Sequence, residues 1–139
     1  MAMRVLGVDP GEKWIGISLS DPLGLTAKPL TIIEHVSRPI DAASIAQLAG
    51  EHNAEQIIVG QATETDGTPN PSGRRSARLA AAIRTQTKVP VILWNENYST
   101  EDAKAISIRL GWIHKKEIKR LDAIAAAVIL QSYLDAHPE

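Results

Sequence analysis

Three carboxylates in this chain stand where they could hold a hard metal ion: Asp9, Glu96 and Asp122. Asp9 follows Val5-Leu6-Gly7-Val8, a short, partly β-branched apolar run with the composition of a buried strand. Pro10 and Gly11 come next and force a turn, so Asp9 is expected at the mouth of that strand. Glu96 comes two residues past the apolar end of Val89–Trp94, and Asp122 comes one position before the Ala-rich run Ala123–Leu130. An ionised carboxylate on an otherwise apolar helix is costly unless something positive pairs with it. For Asp122 that partner is either Lys119 or Arg120, or a divalent ion shared with Asp9 and Glu96. Oxygen ligands of this kind suit Mg²⁺ or Mn²⁺ rather than zinc. A pair of such ions roughly 4 Å apart can activate water and stabilise a leaving oxygen in phosphodiester cleavage. Plainer readings compete: Asp9 as a cap on its own turn, Glu96 as solvated loop.

Other chemistries find less support. His35, His52, His114 and His137 show no metal-ligand spacing and read as surface or ordinary packed residues. There is no nucleophile-elbow serine and no phosphate-loop lysine. Without cysteine there is no disulfide, thiolate-zinc site or thiol nucleophile.

The elements that must position these residues follow from the apolar pattern. Trp14–Leu19 reads as a second strand, close enough to the first for a hairpin. Gly7 and Gly16 leave bare backbone that a ligand or another segment could approach. A turn at Ser20–Gly24 leads to a third strand within 25–34, with Pro29 suited to a sheet edge. Ile45, Leu48 and Ala49 recur at helical spacing over Asp41–His52. Gln56–Gly60 is a fourth strand, apolar enough to be covered on both faces. Gln61–Gly73 is a loop, and a helix follows to about Thr85. Val89–Trp94 is the fifth strand. Ser99 starts a helix to about Leu110, and Leu121–Asp135 forms a last, buried one. Three antiparallel-capable strands followed by alternating helices and strands predict an α/β fold: a mixed five-stranded sheet with helices on both faces. Strands one, four and five would be parallel neighbours, gathering their terminal carboxylates at one sheet edge.

A length of 139 residues fits one domain spanning 1–139, with a real core but no second lobe. No apolar run reaches membrane-spanning length and no secretory leader pattern opens the chain, so a cytoplasmic protein without membrane contact is expected. A net charge of −1 does not announce nucleic acid, so any such affinity needs a local patch. Two are present: Arg74, Arg75 and Arg78, and Lys115, Lys116, Lys119 and Arg120. Each reads as a solvated face taken alone, and as a phosphate-binding surface beside the carboxylate edge. Trp112 reads as packed beneath its loop, with stacking on an unpaired base as the alternative.

The motifs Val8-Asp9-Pro10-Gly11, Trp14-Ile15-Gly16-Ile17, Ser20-Asp21-Pro22, Ile58-Val59-Gly60, Asp66-Gly67, Trp94-Asn95-Glu96 with Ser99-Thr100, and Asp122–Asp135 resemble those of the YqgF-type family. These are bacterial Holliday-junction-resolvase-like proteins regarded as nucleases of pre-16S ribosomal RNA, and the resemblance runs nearly the whole chain. It implies a ribonuclease H-like fold, with Asp9, Glu96 and Asp122 as metal-binding catalytic residues for Mg²⁺ or Mn²⁺. It also implies nucleic acid as partner: precursor rRNA, the small-subunit precursor around it, or branched DNA. The chain would act as a monomer or homodimer. Two departures stand out: Asn95-Glu96-Asn97 where the family commonly reads Asp-Glu-Arg, and Gly60-Gln61-Ala62 where it reads Gly-Leu-Pro. Other readings are a Holliday junction resolvase and a non-catalytic nucleic-acid-binding module. An actin-like or sugar-kinase ATPase would open on a similar Asp-x-Gly turn, but needs the second lobe this length does not provide.

Overall fold

The computed structural model describes residues 3–64, 66–95 and 122–137, with Asp122 described by its backbone alone. Five strands form one sheet: β1 (Val5–Asp9), β2 (Trp14–Ser20), β3 (Ala27–Glu34), β4 (Gln56–Gln61) and β5 (Val91–Asn95). Their order is β3-β2-β1-β4-β5. β2 runs antiparallel to both β1 and β3, whereas β4 is parallel to β1 and β5 parallel to β4. The expected mixed sheet is therefore present, and β1 is its central strand. β3 is an edge strand, which is where Pro29 fits: proline has no N–H for a further ladder. Pro29 pairs with Ser18 beside a register shift at Ile17/Ser18.

Strand alternation gives the sheet two different faces. On one side Leu6, Val8, Ile15, Ile17, Ile57, Val59 and Val91 form a buried aliphatic cluster with α1 (Arg38–Glu51) and α2 (Pro71–Arg84). On the other, Val5, Ala27 and Ile58 pack against Ala127, Leu130, Tyr133 and Leu134 of α3 (Asp122–Ala136). Helices on both faces were expected, and the connections explain them: β3 to β4 and β4 to β5 return through helices on the same side.

The boundaries of two helices differ from the sequence reading for a local reason. α1 begins three residues before Asp41, because the Ser37 side chain accepts from the Ile40 N–H and proline is tolerated in the first turn. α2 likewise begins at Pro71, with Asn70 Oδ1 accepting the Gly73 N–H at 2.8 Å. β5 starts after Pro90 rather than at Val89; the Pro90 carbonyl accepts from the Ile57 N–H at 2.9 Å. α1 ends on Asn53 in the left-handed region at φ 55°, and the Ala54 N–H returns to the Ala49 carbonyl. The predicted helix at Ser99–Leu110 lies outside the described residues.

Candidate active site

Asp9 is the last residue of the central strand, paired with Gly16 of β2. Along β1 the side chains alternate between faces, so Val5, Gly7 and Asp9 belong to the α3 side while Leu6 and Val8 belong to the aliphatic side. Asp9 therefore shares its face with α3.

The height of α3 over the sheet is set by small residues. Gly7 has no side chain because none would fit: a Cβ there would collide with Ser18 Oγ, and would stand 2.9 Å from Leu130 Cβ and 3.1 Å from the Ala126 carbonyl oxygen. Ser18 Oγ donates to that same carbonyl at 2.8 Å, a buried bond between strand and helix backbone. Ser20 Oγ, also buried, accepts the Val5 N–H at 2.8 Å. The bare backbone expected at Gly7 is thus occupied by a helix and not by a ligand.

These contacts fix the longitudinal register. Ala126 lies over Gly7, while Tyr133 OH reaches Gln56 at the far end of β4, so α3 runs opposite to β1. Asp122 precedes Ala126 by one turn, about 6 Å of helix rise. Asp9 follows Gly7 by two residues, about 6.6 Å of strand rise. The first described residue of α3 thus comes level with Asp9. Among the described residues no three His, Cys, Asp or Glu gather as a metal site. Glu96, directly after the last residue of β5, lies outside the described residues, as does the Asp122 side chain.

At the same sheet end, on the aliphatic side, α1 and α2 both begin, so the positive ends of their dipoles lie at the Asp9 end of the sheet. A cleft of about 490 Å³ opens between them, lined by Pro10, Gly11, Glu12, His35, Arg38, Asp41 and Arg75 among others. The first basic patch divides here. Arg75 faces the cleft and stands 3.6 Å from the exposed Glu12 carboxylate. Arg74 and Arg78 are exposed, with Arg74 donating to the Pro69 carbonyl at 3.2 Å. The second patch, Lys115, Lys116, Lys119 and Arg120, lies outside the described residues with Trp112.

The sequence reading missed one pair. His35, expected to be an ordinary surface or packed histidine, places Nδ1 2.5 Å from Oδ2 of Asp41, which is buried. Asp41 Oδ1 also accepts the Val36 N–H at 3.0 Å. Only the turn into α1 joins residues six apart in this way, and no local motif marks it.

The departure at Gln61 has a visible role. Its side-chain amide donates to the Gly73 carbonyl at 3.2 Å, tying the end of β4 to the first turn of α2. Gly73 is itself packed so closely that a Cβ would collide with the Ala62 carbonyl oxygen.

Residues 3–136 match the family model described as RuvX, Holliday junction resolvase. A relative from Syntrophus aciditrophicus, named "Putative pre-16S rRNA nuclease", is 40% identical over 96% of this chain and 89% of its own length. One of the same name from Geobacillus kaustophilus is 40% identical over 96% of this chain and 99% of its own. Among solved structures, Thermus thermophilus RuvC in complex with a Holliday junction substrate superposes with a TM-score of 0.67 at 16% identity, covering 96% of this chain and 94% of that one. A fowlpox virus resolvase with its junction DNA gives 0.57 at 16% identity over 99% and 100%.

Proposed function

We propose a function from one premise: this chain belongs to the RuvX Holliday junction resolvase family, and its α/β fold is the ribonuclease H-like fold shared with RuvC. The protein is a nuclease that acts on nucleic acid. Its substrate is the pre-16S rRNA precursor, which the names of its relatives support; in this reading it acts in the cytoplasm, on that RNA within or released from the small-subunit precursor. No helix among the described residues is long and apolar enough to cross a membrane.

Asp9, Glu96 and Asp122 hold Mg²⁺ or Mn²⁺ in this reading. The observation that carries it is the register of α3, which brings position 122 level with Asp9 on one face of the sheet. Carboxylate oxygens at a strand end fit a hard divalent ion, and the chain has no cysteine to suggest a softer one. Such an ion supplies Lewis-acid polarisation of the phosphate and a more acidic water. Asp9 contributes a fixed ligand position, because its strand is held in the ladder on both sides. Arg74, Arg75, Arg78, Lys115, Lys116, Lys119 and Arg120 hold the strand's phosphates.

The test is cleavage of precursor 16S rRNA with Mg²⁺ or Mn²⁺, comparing the native chain with Asp9→Asn. Loss of a ligand charge worth several kcal/mol in the transition state should lower the rate by roughly two orders of magnitude or more. Undiminished cleavage by Asp9→Asn would overturn the metal assignment. The family description favours one second reading, branched DNA. Competition between precursor RNA and a four-way junction separates the two, and preferential junction cleavage would displace the RNA reading.

A further inference from the structure

We propose that the cleft between α1, α2 and the β1–β2 turn holds one ribonucleotide of the substrate strand next to the cut, with its phosphate on Arg38 and Arg75 and its ribose hydroxyl on His35. This rests on the nuclease reading and deepens it. At about 490 Å³ the cleft is of the size that encloses a small ligand or a single nucleotide.

Its charges are unequally engaged. Asp41 is 3% exposed, and each of its carboxylate oxygens already has a donor, Val36 N–H on one and His35 Nδ1 on the other. Buried and already engaged at both oxygens, it is closed to a ligand from solvent. Glu12 is on the rim, with its side chain 85% exposed, and its 3.6 Å contact with Arg75 is a loose surface pair worth little. Arg38 is exposed and makes no ion pair among the described residues. Two arginines therefore line a cleft whose rim carboxylate Glu12 is solvated, a setting in which a phosphate is the better partner.

The histidine adds a second, different contact. Both oxygens of the Asp41 carboxylate are engaged, one by the Val36 N–H and the other by Nδ1 of the His35 ring. Nε2 points away from that pair and makes no hydrogen bond among the described residues. A ring nitrogen beside a phosphate site calls for a polar group on the sugar, and the ribose 2′-hydroxyl, which both donates and accepts, supplies one where deoxyribose has none. The place in the chain fits too. Pro10 and Gly11 line the cleft and directly follow Asp9, so a strand cut at the carboxylate edge passes the cleft within one turn of chain.

The experiment measures binding of a short fluorescent oligouridylate and its deoxy counterpart to the full chain in EDTA, where cleavage does not interfere. Arg38→Gln, at an exposed position, should weaken both strands about ten-fold, the worth of a charge-assisted hydrogen bond, and reduce the salt slope by about 1. His35→Gln keeps a donor for Asp41 and should weaken the ribo strand alone, narrowing its preference over the deoxy strand. Melting curves of both variants check that the fold is retained. Native binding by both folded variants overturns the cleft assignment. If those variants bind normally while Asp9→Asn has lost cleavage, the nuclease reading stands and only the cleft falls. If the binding losses appear but the native chain cleaves no RNA, the cleft stands as a binding site and the nuclease reading falls.

Discussion

The two faces of the sheet are covered by helices held at different distances. On the α1/α2 side the strands present Leu6, Val8, Ile15, Ile17, Ile57 and Val59, and the helices ride on a full layer of branched side chains. On the α3 side the central strands present Gly7, Gly16, Ser18 and Ser20, so α3 meets strand backbone directly and is bonded to it through Ser18. Burial of large aliphatic groups stabilises strongly, about 1.5–3 kcal/mol for each one fully buried, but it is non-directional. A helix that meets strand backbone and a buried hydrogen bond, beside its apolar contacts, is in addition fixed in height and register. The face that carries Asp9 is the one held by directional contacts. The aliphatic face is held by non-directional burial, and between its two helices it leaves a cleft.

Mutations on the two faces should therefore separate stability from activity. On the α3 face Gly7→Ala is strongly disruptive: its Cβ meets Ser18 Oγ, Leu130 Cβ and the Ala126 carbonyl, and such overpacking costs about 1–3 kcal/mol. Because α3 must lift or slide to admit the methyl group, cleavage should fall more than the urea midpoint suggests. Ile57→Val, on the aliphatic side, loses a methyl group for about 0.5–1.5 kcal/mol and should keep native cleavage. Equal activity loss in the two variants at matched stability would erase the distinction between the faces. Ser18→Ala should cost less, about 1 kcal/mol for the lost bond to Ala126. It also removes the nearest atom in the way of a residue 7 Cβ. The double variant Gly7→Ala/Ser18→Ala should thus be less destabilised than the two single losses added, by about 0.5–3 kcal/mol of coupling. Strict additivity would show that Ser18 Oγ is not what stands in the way of a side chain at position 7.

Much of this arrangement was legible in the sequence because it rests on local signals. The apolar runs at Val5–Val8 and Gln56–Gly60 mark buried parallel strands by composition, and Pro29 marks an edge by its missing N–H. The Ala-rich run of α3 reads as a helix buried against the sheet, and it is. What the pattern did not show was why Gly7 is a glycine: a ligand and a helix both call for bare backbone, and only the tertiary register distinguishes them. The helix starts at Arg38 and Pro71 lay three residues earlier than apolar periodicity suggests, because caps and first-turn prolines carry no periodic signal. The His35–Asp41 pair was hidden for a related reason. It forms across a change from strand to helix, where neither period 2 nor period 3.6 applies. The basic patch at Arg74, Arg75 and Arg78 was legible as a patch, but the division that turns Arg75 alone into the cleft depends on how α2 sits on the sheet.

The smallest expected effect tests the far end of the α3 face. There Gln131 of α3 grips the β2–β3 turn, accepting the Ala27 N–H at 2.9 Å and donating to the Leu25 carbonyl at 3.0 Å. Asp21 shapes that turn, with Oδ1 accepting the N–H groups of Leu25 and Thr26 at 2.7 and 3.0 Å. The Thr26 bond is the largest influence on its acidity; with the other backbone bonds it holds the carboxyl below its ordinary value, against a smaller opposing effect of burial. A carboxyl whose pKa is lowered by folding stabilises the fold fully above its unfolded pKa, near 3.9. That contribution disappears as the pH falls through the lower folded value. Asp21 is only partly buried, so solvent screening keeps the contribution under about 1 kcal/mol. In Asp21→Asn the urea midpoint should fall slightly at pH 7 and decline less steeply than that of the native chain below pH 4. If α3 depends on this turn for its register, the same variant should also lose some cleavage at neutral pH, although it lies at the opposite end of β1 from Asp9. Acid limbs of identical slope in the two proteins would remove the turn from the account of how α3 is held, leaving the Ser18 bond and the Gly7 contact to fix it alone.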